Sequence, residues 1–183
     1  MLVVLRIGHR RSRDARLTTH VCLTARALGA DAVWVSEKDG ALEATVRSVV
    51  GRFGGAFEVK TGVPWHRAMK EFEGVRVHLT MYGEPLEKVA GKVRAAAKGK
   101  DLMVVVGASK VPGELFGLAD YNVAVGSQPH SEVAALALAI DRLGGGAWAR
   151  KKFKGARVVI RPSARGKVVD GSAADAEEEE EEE

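Results

Sequence analysis

The chain has 183 residues, 46% of them hydrophobic and 28% charged, a balance that predicts one soluble globular domain. It has no run near the roughly 18 apolar residues of a membrane span, its first basic residues follow the N-terminal apolar run, and its single cysteine excludes an internal disulfide. The formal net charge is +4, and together these features predict a cytoplasmic protein with no membrane partner and no secretory signal.

Short apolar strands alternate with helices along the first hundred residues. The predicted strands are Leu2–Ile7, Ala32–Val35, Phe57–Lys60 and Val75–Leu79. The first predicted helix is capped by Thr18 or Thr19 and runs to about Leu28. The others run over Leu42–Phe53, from Pro64 to about Phe72 and from Pro85 to Gly99, with residues 80–83 as a loop. This alternation predicts an α/β fold whose sheet is largely parallel.

The stretch Leu102–Leu143 has the pattern of a binding site. It contains a buried strand, the loop GASKVPG, a second strand, the turn GSQPHSE and an apolar helix that Ser131 is predicted to cap. Each loop alone is equally well explained as an ordinary strand-to-helix connection. Two such loops at strand ends can face each other, however, so the pair indicates a pocket of about the size of an adenosine.

The common nucleotide and metal motifs are missing from the sequence. No GxGxxG follows the first strand and no GxxxxGK[ST] is present, which disfavours a dinucleotide fold and a P-loop. HExxH is also missing and the five histidines are scattered, so no metal site is predicted.

Beyond Leu143 the chain becomes basic. The segment AWARKKFK (147–154) contains Trp148 and Phe153, which suit an RNA-stacking surface and packing beneath a hairpin equally well. Arg157–Arg161 and Lys167–Asp170 are predicted to pair as a β-hairpin. The predicted organisation is thus one domain over residues 1–170, with 143–170 as its basic segment and hairpin, followed by a disordered acidic tail at 171–183.

The net charge conceals an asymmetry between the body and the tail. Residues 175–183 hold eight of the 24 acidic groups, which leaves 28 basic against 16 acidic residues, a net charge of +12, over residues 1–174. Such a body favours a polyanionic partner such as nucleic acid, although basic residues also simply solubilise surfaces. The tail is expected either to screen the basic face or to have no role.

Four blocks resemble a known family: LRIGHRRSRDARLTTHVCLTARALGAD (5–31), VHLTMYG (77–83), VVVGASKVP (104–112) and ADYNVAVGSQPHSEVAALALAIDRL (119–143). In this order they resemble the archaeal tRNA (cytidine-56)-2'-O-methyltransferases of the SPOUT class. The resemblance implies a SPOUT-type α/β fold with a C-terminal deep trefoil knot, S-adenosyl-L-methionine as cofactor, a homodimer, and methylation of the ribose 2'-hydroxyl of cytidine 56 in the T-loop of tRNA. The alternatives are the same methylation at another tRNA or rRNA site, and a non-catalytic RNA-binding protein with this fold.

The resemblance also implies site residues. The cofactor-binding segments correspond to Leu79, Gly107, Ala108, Ser109, Lys110, Val111, Val125, Gly126, Ser127, Gln128, Pro129, His130, Ser131 and Glu132. Ribose-methylating relatives carry an Asn-x5-Arg motif at the end of a helix beside the dimer partner's pocket. It is matched by His20-x5-Arg26, with His replacing Asn, which makes Arg26 the candidate for activating the 2'-hydroxyl. A free arginine is a poor base, so a phosphate-clamping role and a plain surface position are the alternatives for Arg26.

A cluster of basic residues follows the first strand and is expected to contact RNA phosphates. It consists of Arg6, His9, Arg10, Arg11, Arg13 and Arg16. The competing interpretation is a solvated, charge-rich loop.

Overall fold

The computed structural model describes residues 1–108 and 111–171. Eight strands are present in this part of the chain: β1 (Leu2–Ile7), β2 (Ala32–Val35), β3 (Glu58–Thr61), β4 (Gly74–Pro85), β5 (Asp101–Gly107), β6 (Tyr121–Ala124), β7 (Val159–Arg161) and β8 (Val168–Asp170). The α-helices are α1 (Arg11–Ala27), α2 (Gly40–Phe53), α3 (Trp65–Glu71), α4 (Leu86–Ala96), α5 (Leu115–Leu118) and α6 (Glu132–Gly144), and Ala147–Arg150 forms a 3₁₀ turn.

The first six strands form one sheet in the order β3-β2-β1-β5-β4-β6, and all five pairings are parallel. The predicted α/β fold with a largely parallel sheet is therefore confirmed. The predicted hairpin is present as the antiparallel pair of β7 and β8. Because parallel strands end at the same edge, the segments that follow β1, β4, β5 and β6 lie side by side.

Side chains alternate across the sheet and divide the core into two layers. On one face Val4, Val104 and Val106 pack with apolar residues of α1, α2, α4 and α6. On the other face Leu5 and Ile7 join a smaller cluster with residues of α3 and α5. The strands are apolar on both faces, as expected for a parallel sheet covered by helices.

Helix α1 begins at Arg11, well before the predicted cap. Asp14 accepts a hydrogen bond from the Arg10 backbone N–H at 3.0 Å, and its carboxylate lies in the first turn, where the helix dipole favours negative charge. Thr18 is no cap at all but is fully buried within the helix. The prediction failed because a run of charged residues without apolar periodicity concealed the first two turns.

Strand β4 is longer than predicted and absorbs the expected loop at residues 80–83. Both Leu79 and Glu84 align with Val123 of β6, so the intervening residues form a bulge rather than a separate loop. A Cβ on Gly83 would lie 2.5 Å from backbone atoms of Asn122. The absence of a side chain therefore lets β4 resume its contact with β6 after the bulge.

The segment after α6 folds back over the sheet edge that carries the amino ends of β2 and β3. Gly54 adopts a φ of +73°, and a Cβ there would lie 2.5 Å from the Ala156 nitrogen. The Lys151 Nζ donates to the Gly29 carbonyl at 2.9 Å. This basic segment is thus docked on the body of the domain.

Candidate functional site

A cavity of about 620 Å³ opens at the carboxyl ends of β4, β5 and β6. Its size lies within the range of about 300–1,000 Å³ that is usual for small-molecule sites. Its walls come from His78–Tyr82, Val106–Ala108, Val111, Phe116, Val125, Gln128–His130, Glu132 and Ala135. The two loops singled out in the sequence thus face each other across the end of β4.

The loop between β6 and α6 is fixed by its own polar groups. Ser131 caps α6 as predicted, accepting from the Val133 N–H at 3.2 Å. Both ring nitrogens of His130 face carbonyl oxygens, Nε2 at 2.5 Å from Val125 and Nδ1 at 3.0 Å from Ser131. These two carbonyl contacts favour the doubly protonated ring, so they raise the pKa of His130.

Most of the residues predicted to hold the cofactor lie together in this cavity. Leu79, Gly107, Ala108, Val111, Val125, Gln128, Pro129, His130 and Glu132 line it directly. Gly126, Ser127 and Ser131 belong to the same loop but are exposed and are not among the lining residues. Ser109 and Lys110 lie outside the described residues.

Several lining residues were not among the predicted cofactor-binding residues. Thr80, Met81 and Tyr82 come from the bulge of β4, and Phe116 comes from the one-turn helix α5. His78 also lines the cavity and is only 1% exposed. The polar residues at the end of an otherwise apolar strand, in HLTMYG, were the signal that could have identified this wall.

Beneath the cavity a buried ion pair joins β1 to α6. Arg6 is fully buried, and its Nη2 lies 2.8 Å from Glu132 Oε1. The contact lacks hydrogen-bond alignment, and within the described ranges none of the Arg6 guanidinium nitrogens has a hydrogen-bond partner. Arg6 thus places a positive charge behind the carboxylate that lines the cavity.

The expected phosphate contact of Arg6 and His9 does not fit this structure. Arg6 faces the α1 side of the sheet because it alternates in the same register as Val4. His9 is 2% exposed, with Nε2 at 2.9 Å from Asp39 Oδ2 and Nδ1 at 2.8 Å from Thr18 Oγ1. Neither side chain is presented to a macromolecule, so these two assignments are corrected to structural roles.

The remaining basic residues of the cluster differ in whether they form hydrogen bonds within the protein. Arg10 forms two hydrogen bonds to the Asp14 carboxylate, at 2.9 and 3.2 Å. Arg11 donates to the Lys38 carbonyl. Arg13 and Arg16 are exposed on the first turns of α1, beside the carboxyl edge of the sheet. The predicted basic surface is therefore smaller than the sequence suggested.

Arg26 lies at the other end of α1, 93% buried. Its Nη2 donates to the Gly54 carbonyl at 2.7 Å, and its guanidinium carbon lies 4.5 Å from the centre of the Phe153 ring. A helix of this length spans about 25 Å, which separates Arg26 from the cavity of its own chain. Burial also lowers the pKa of Arg26. Within one chain Arg26 therefore joins α1 to the loop after α2 and to the C-terminal segment.

The aromatic residues of the basic segment pack rather than stand free. Phe153 lies against Arg26 and Gly55, and the Trp148 Nε1–H donates to Asp141 Oδ1 at 2.7 Å. Among the described residues, no group of three or more His, Cys, Asp or Glu side chains is arranged to bind a metal ion. Nor does any helix in the described ranges have the length and apolarity needed to cross a membrane.

Comparison with solved structures places this architecture among RNA methyltransferase folds. The SpoU methyltransferase AviRb from Streptomyces viridochromogenes, solved in complex with AdoMet, matches with a TM-score of 0.55 and 15% identity, over 81% of this chain and 61% of that one. The TrmH/SpoU tRNA modifying enzyme of A. aeolicus matches with a TM-score of 0.56 and 13% identity, over 81% and 76% of the two chains. At this identity the likeness concerns the fold alone.

Sequence comparison is much more specific. The tRNA (cytidine(56)-2'-O)-methyltransferase of Pyrococcus abyssi is 55% identical over 172 residues, which cover 92% of this chain and 87% of that protein. The enzyme of the same name from Methanocaldococcus jannaschii is 49% identical over 168 residues, 91% and 94% of the two chains. The profile of the family "tRNA ribose 2'-O-methyltransferase, aTrm56" matches residues 53–170. The chain therefore belongs to the aTrm56 family of tRNA ribose 2'-O-methyltransferases.

Proposed function

We propose that this protein transfers a methyl group from S-adenosyl-L-methionine to the ribose 2'-hydroxyl of cytidine 56 in the T-loop of tRNA. The observation that carries the proposal is the identity of about half of all residues to relatives named for this reaction, along nearly the whole chain. The cavity at the strand ends, built by the segments that the family resemblance marks for the cofactor, supports it independently.

The cavity suits the cofactor in both size and chemistry. Val106, Val111 and Phe116 offer apolar surface for a planar purine, and Glu132 offers a negative charge to the ammonium group of the amino-acid end. The Arg6 charge behind Glu132 keeps that carboxylate oriented while leaving it 21% exposed. When bound, the cofactor supplies an activated methyl group, and the chain supplies its position relative to the ribose.

The RNA is proposed to approach across the first turns of α1. Arg13 and Arg16 are exposed there and close to the carboxyl edge of the sheet, where the cavity opens. Phosphate contacts of this kind fix the register of the nucleic acid without selecting its sequence. We propose Arg11, Arg13 and Arg16 as the phosphate-contacting members of the cluster, with Arg10 held by Asp14 instead.

We propose that Arg26 activates or orients the 2'-hydroxyl in the cavity of a partner subunit. Arg26 serves its own chain as a packing residue, so a catalytic role would require that the cavity of a partner subunit approach the C-terminal end of α1. The proposed assembly is a homodimer, in keeping with the family resemblance. Leu138, 50% exposed on α6, offers apolar surface for such a contact, and light scattering in solution measures the molar mass directly.

Two further properties accompany the proposal. We infer a deep trefoil knot in the C-terminal half, supported by the insertion of β5 between β1 and β4 while the chain continues to β6 at the outer edge. We also propose a cytoplasmic location, in keeping with a tRNA substrate.

The test uses full-length protein, labelled S-adenosyl-L-methionine and unmodified tRNA transcript. Transfer to wild-type tRNA is expected, with the label mapped to the ribose of cytidine 56. A matched tRNA carrying dC56 keeps the base and removes the acceptor oxygen, so it is expected to receive no label. Label on dC56 tRNA would place the methyl group on another atom or nucleotide, and no transfer to any tRNA would favour a non-catalytic RNA-binding protein.

A further inference from the structure

His78 is the most deeply buried polar residue that lines the cavity. It occupies β4 between Val105 of β5 and Asn122 of β6, at the point where the strand reaches the cavity. Neither the sequence pattern nor the family resemblance assigns it a role. At this position, a ring nitrogen that is not bonded to the protein is available to a ligand.

A chain of hydrogen bonds fixes the tautomer of His78. The Asn122 Nδ2–H donates to the Phe116 carbonyl at 3.0 Å, which turns Asn122 Oδ1 toward the histidine. That oxygen lies 2.8 Å from His78 Nδ1, so Nδ1 carries the proton and donates it. The Phe116 ring meets the imidazole edge-on, with centroids 5.1 Å apart at 90°, and fixes its orientation.

The other ring nitrogen, Nε2, is consequently an acceptor. Burial lowers the pKa of His78, more than the Asn122 contact raises it, so the ring is neutral near pH 7. No hydrogen bond to Nε2 is present in the described part of the chain, and this nitrogen is not among its enclosed unpartnered atoms. We therefore infer that Nε2 lies on the side of His78 that lines the cavity. An acceptor held in this way favours a ligand that brings a hydrogen-bond donor.

We propose that His78 recognises the adenine of the cofactor, with Nε2 accepting a hydrogen bond from the 6-amino group. The inference rests on the proposed function, because that function supplies the adenine. The apolar residues Val106, Val111 and Phe116 belong to the same cavity and suit the faces of a purine ring. The polar residues Glu132 and His130 belong instead to the α6 end, which suits the amino-acid end of the cofactor.

This role makes His78 a specificity residue. An oxygen at position 6 of the purine, as in hypoxanthine, would face the Nε2 lone pair with a second acceptor. A site built to hydrogen-bond one group discriminates strongly against an analogue that cannot make the bond. The protein should therefore prefer adenosine-based to inosine-based ligands through this one contact.

The experiment measures binding rather than turnover. Calorimetry compares S-adenosylhomocysteine with S-inosylhomocysteine on wild type, His78→Phe and Asn122→Asp, with His66→Phe as the matched control on α3, outside the cavity. Wild type and the control are expected to favour the adenosine ligand by about tenfold or more. His78→Phe should lose about tenfold of that preference, since the acceptor is gone.

Asn122→Asp tests the tautomer argument without removing the histidine. A carboxylate still accepts from Nδ1 but stabilises the imidazolium, whose Nε2–H is a donor. The preference for the adenosine ligand should fall or reverse in this variant. In wild type, the ¹⁵N NMR signal of His78 Nε2 should report a lone pair and should shift on binding S-adenosylhomocysteine.

The outcomes separate this inference from the proposed function. Wild-type binding of S-adenosylhomocysteine with an unchanged ligand preference in Asn122→Asp and an unmoved Nε2 signal overturns the role of His78 but leaves the cofactor site intact. No binding of S-adenosylhomocysteine to folded wild type overturns the site and the inference together. If His78→Phe fails to fold, Asn122→Asp and the NMR signal decide.

Discussion

Arginines that look alike in the sequence occupy unlike environments in the fold. Arg6 is fully buried behind Glu132, Arg10 is engaged by Asp14, and Arg13 is exposed on α1. Arg26 has the spacing of a catalytic arginine but contacts Gly54 and Phe153. A guanidinium serves equally as a phosphate ligand, an ion-pair partner or a packing group, and only its neighbours decide between these roles.

Arg26→Ala is expected to destabilise the fold by about 1–3 kcal/mol, because the Gly54 carbonyl loses its donor and Phe153 loses its stacked cation. Urea unfolding measures the change. Because the proposed role of Arg26 lies in the cavity of a partner subunit, the folded variant should also lose methyl transfer while its affinity for the cofactor stays nearly intact. The control is Arg47→Ala, which removes an exposed helix-surface arginine and should have little effect on stability. Transfer close to that of wild type in the folded variant would instead confine Arg26 to packing.

Glu43 gives the fold a pH-dependent contact between α2 and β3. Its Oε1 accepts from the Thr61 hydroxyl at 2.6 Å and the Thr61 N–H at 2.9 Å, and with Lys38 these bonds lower the pKa of Glu43 to about 2. A lowered pKa contributes stability that is present above the unfolded value near 4.5 and is lost as the pH falls toward 2. The difference in unfolding free energy between wild type and Glu43→Gln should therefore be largest above pH 4.5 and shrink below it. Glu71→Gln provides the comparison, because Glu71 is exposed and pairs with Arg67 of its own helix. A difference that stays constant between pH 6 and pH 3 would contradict this assignment.

At the scale of elements, the site depends on the early start of α1 and on the bulge of β4. The first turns of α1 carry the exposed Arg13 and Arg16 to the sheet edge where the cavity opens. The bulge brings Met81 and Tyr82, exposed by 43% and 81%, to the rim of the cavity. Neither feature could be predicted from apolar periodicity, because neither segment has a periodic pattern of apolar residues.

The exposed arginines on the first turns of α1 are expected to contribute to RNA affinity. Arg13→Ala and Arg16→Ala should each weaken tRNA binding at all sequences and reduce the slope of log K against log salt by about one, as expected for a lost phosphate contact. Arg10→Ala is the control, because Asp14 already holds that guanidinium. Filter binding over a salt series gives the slopes. Equal losses in all three variants would indicate a diffuse electrostatic effect rather than specific contacts.

The bulge of β4 depends on close packing of Gly83 against β6. Gly83→Ala should destabilise the protein and weaken cofactor binding, because the new Cβ would meet the Asn122 backbone at 2.5 Å. Gly91→Ala is a matched control within α4, where a Cβ meets nothing within 4 Å. That substitution should stabilise the helix by up to about 1 kcal/mol. In thermal unfolding, the melting temperature should fall in Gly83→Ala and rise in Gly91→Ala. An unchanged melting temperature in Gly83→Ala would show that the bulge can rearrange.

At the scale of the whole molecule, charge is divided between a basic body and an acidic tail. Residues 172–183 lie outside the described residues, so the predicted disorder of the tail stays a prediction. Removal of residues 175–183 takes away eight negative charges and changes the formal net charge from +4 to +12. Long-range attraction to a polyanion rises with the net charge of the protein, most strongly at low salt.

Deletion of residues 175–183 should therefore strengthen tRNA binding at low ionic strength. At high salt the dissociation constants of the deletion variant and the wild type should become equal. The measurement is the dissociation constant over a salt series. A variant with the seven terminal glutamates replaced by glutamines keeps the length and serves as the control for charge. An unchanged salt dependence in both proteins would leave the tail without an electrostatic role.

The sequence by itself determined the α/β class, the parallel sheet, the hairpin and the two loops of the cavity, because each has a local signature in apolar runs, glycines and caps. Its resemblance to a family further indicated the cofactor segments, most of which line one cavity. Only the tertiary structure decided which basic residues are exposed, that Arg26 packs away from its own cavity, and that Asn122 holds His78 in the cavity wall. The reason is physical: burial and hydrogen-bond partners are set by contacts between residues far apart in the chain, such as His78 with Asn122 and Arg6 with Glu132, and no local pattern records them.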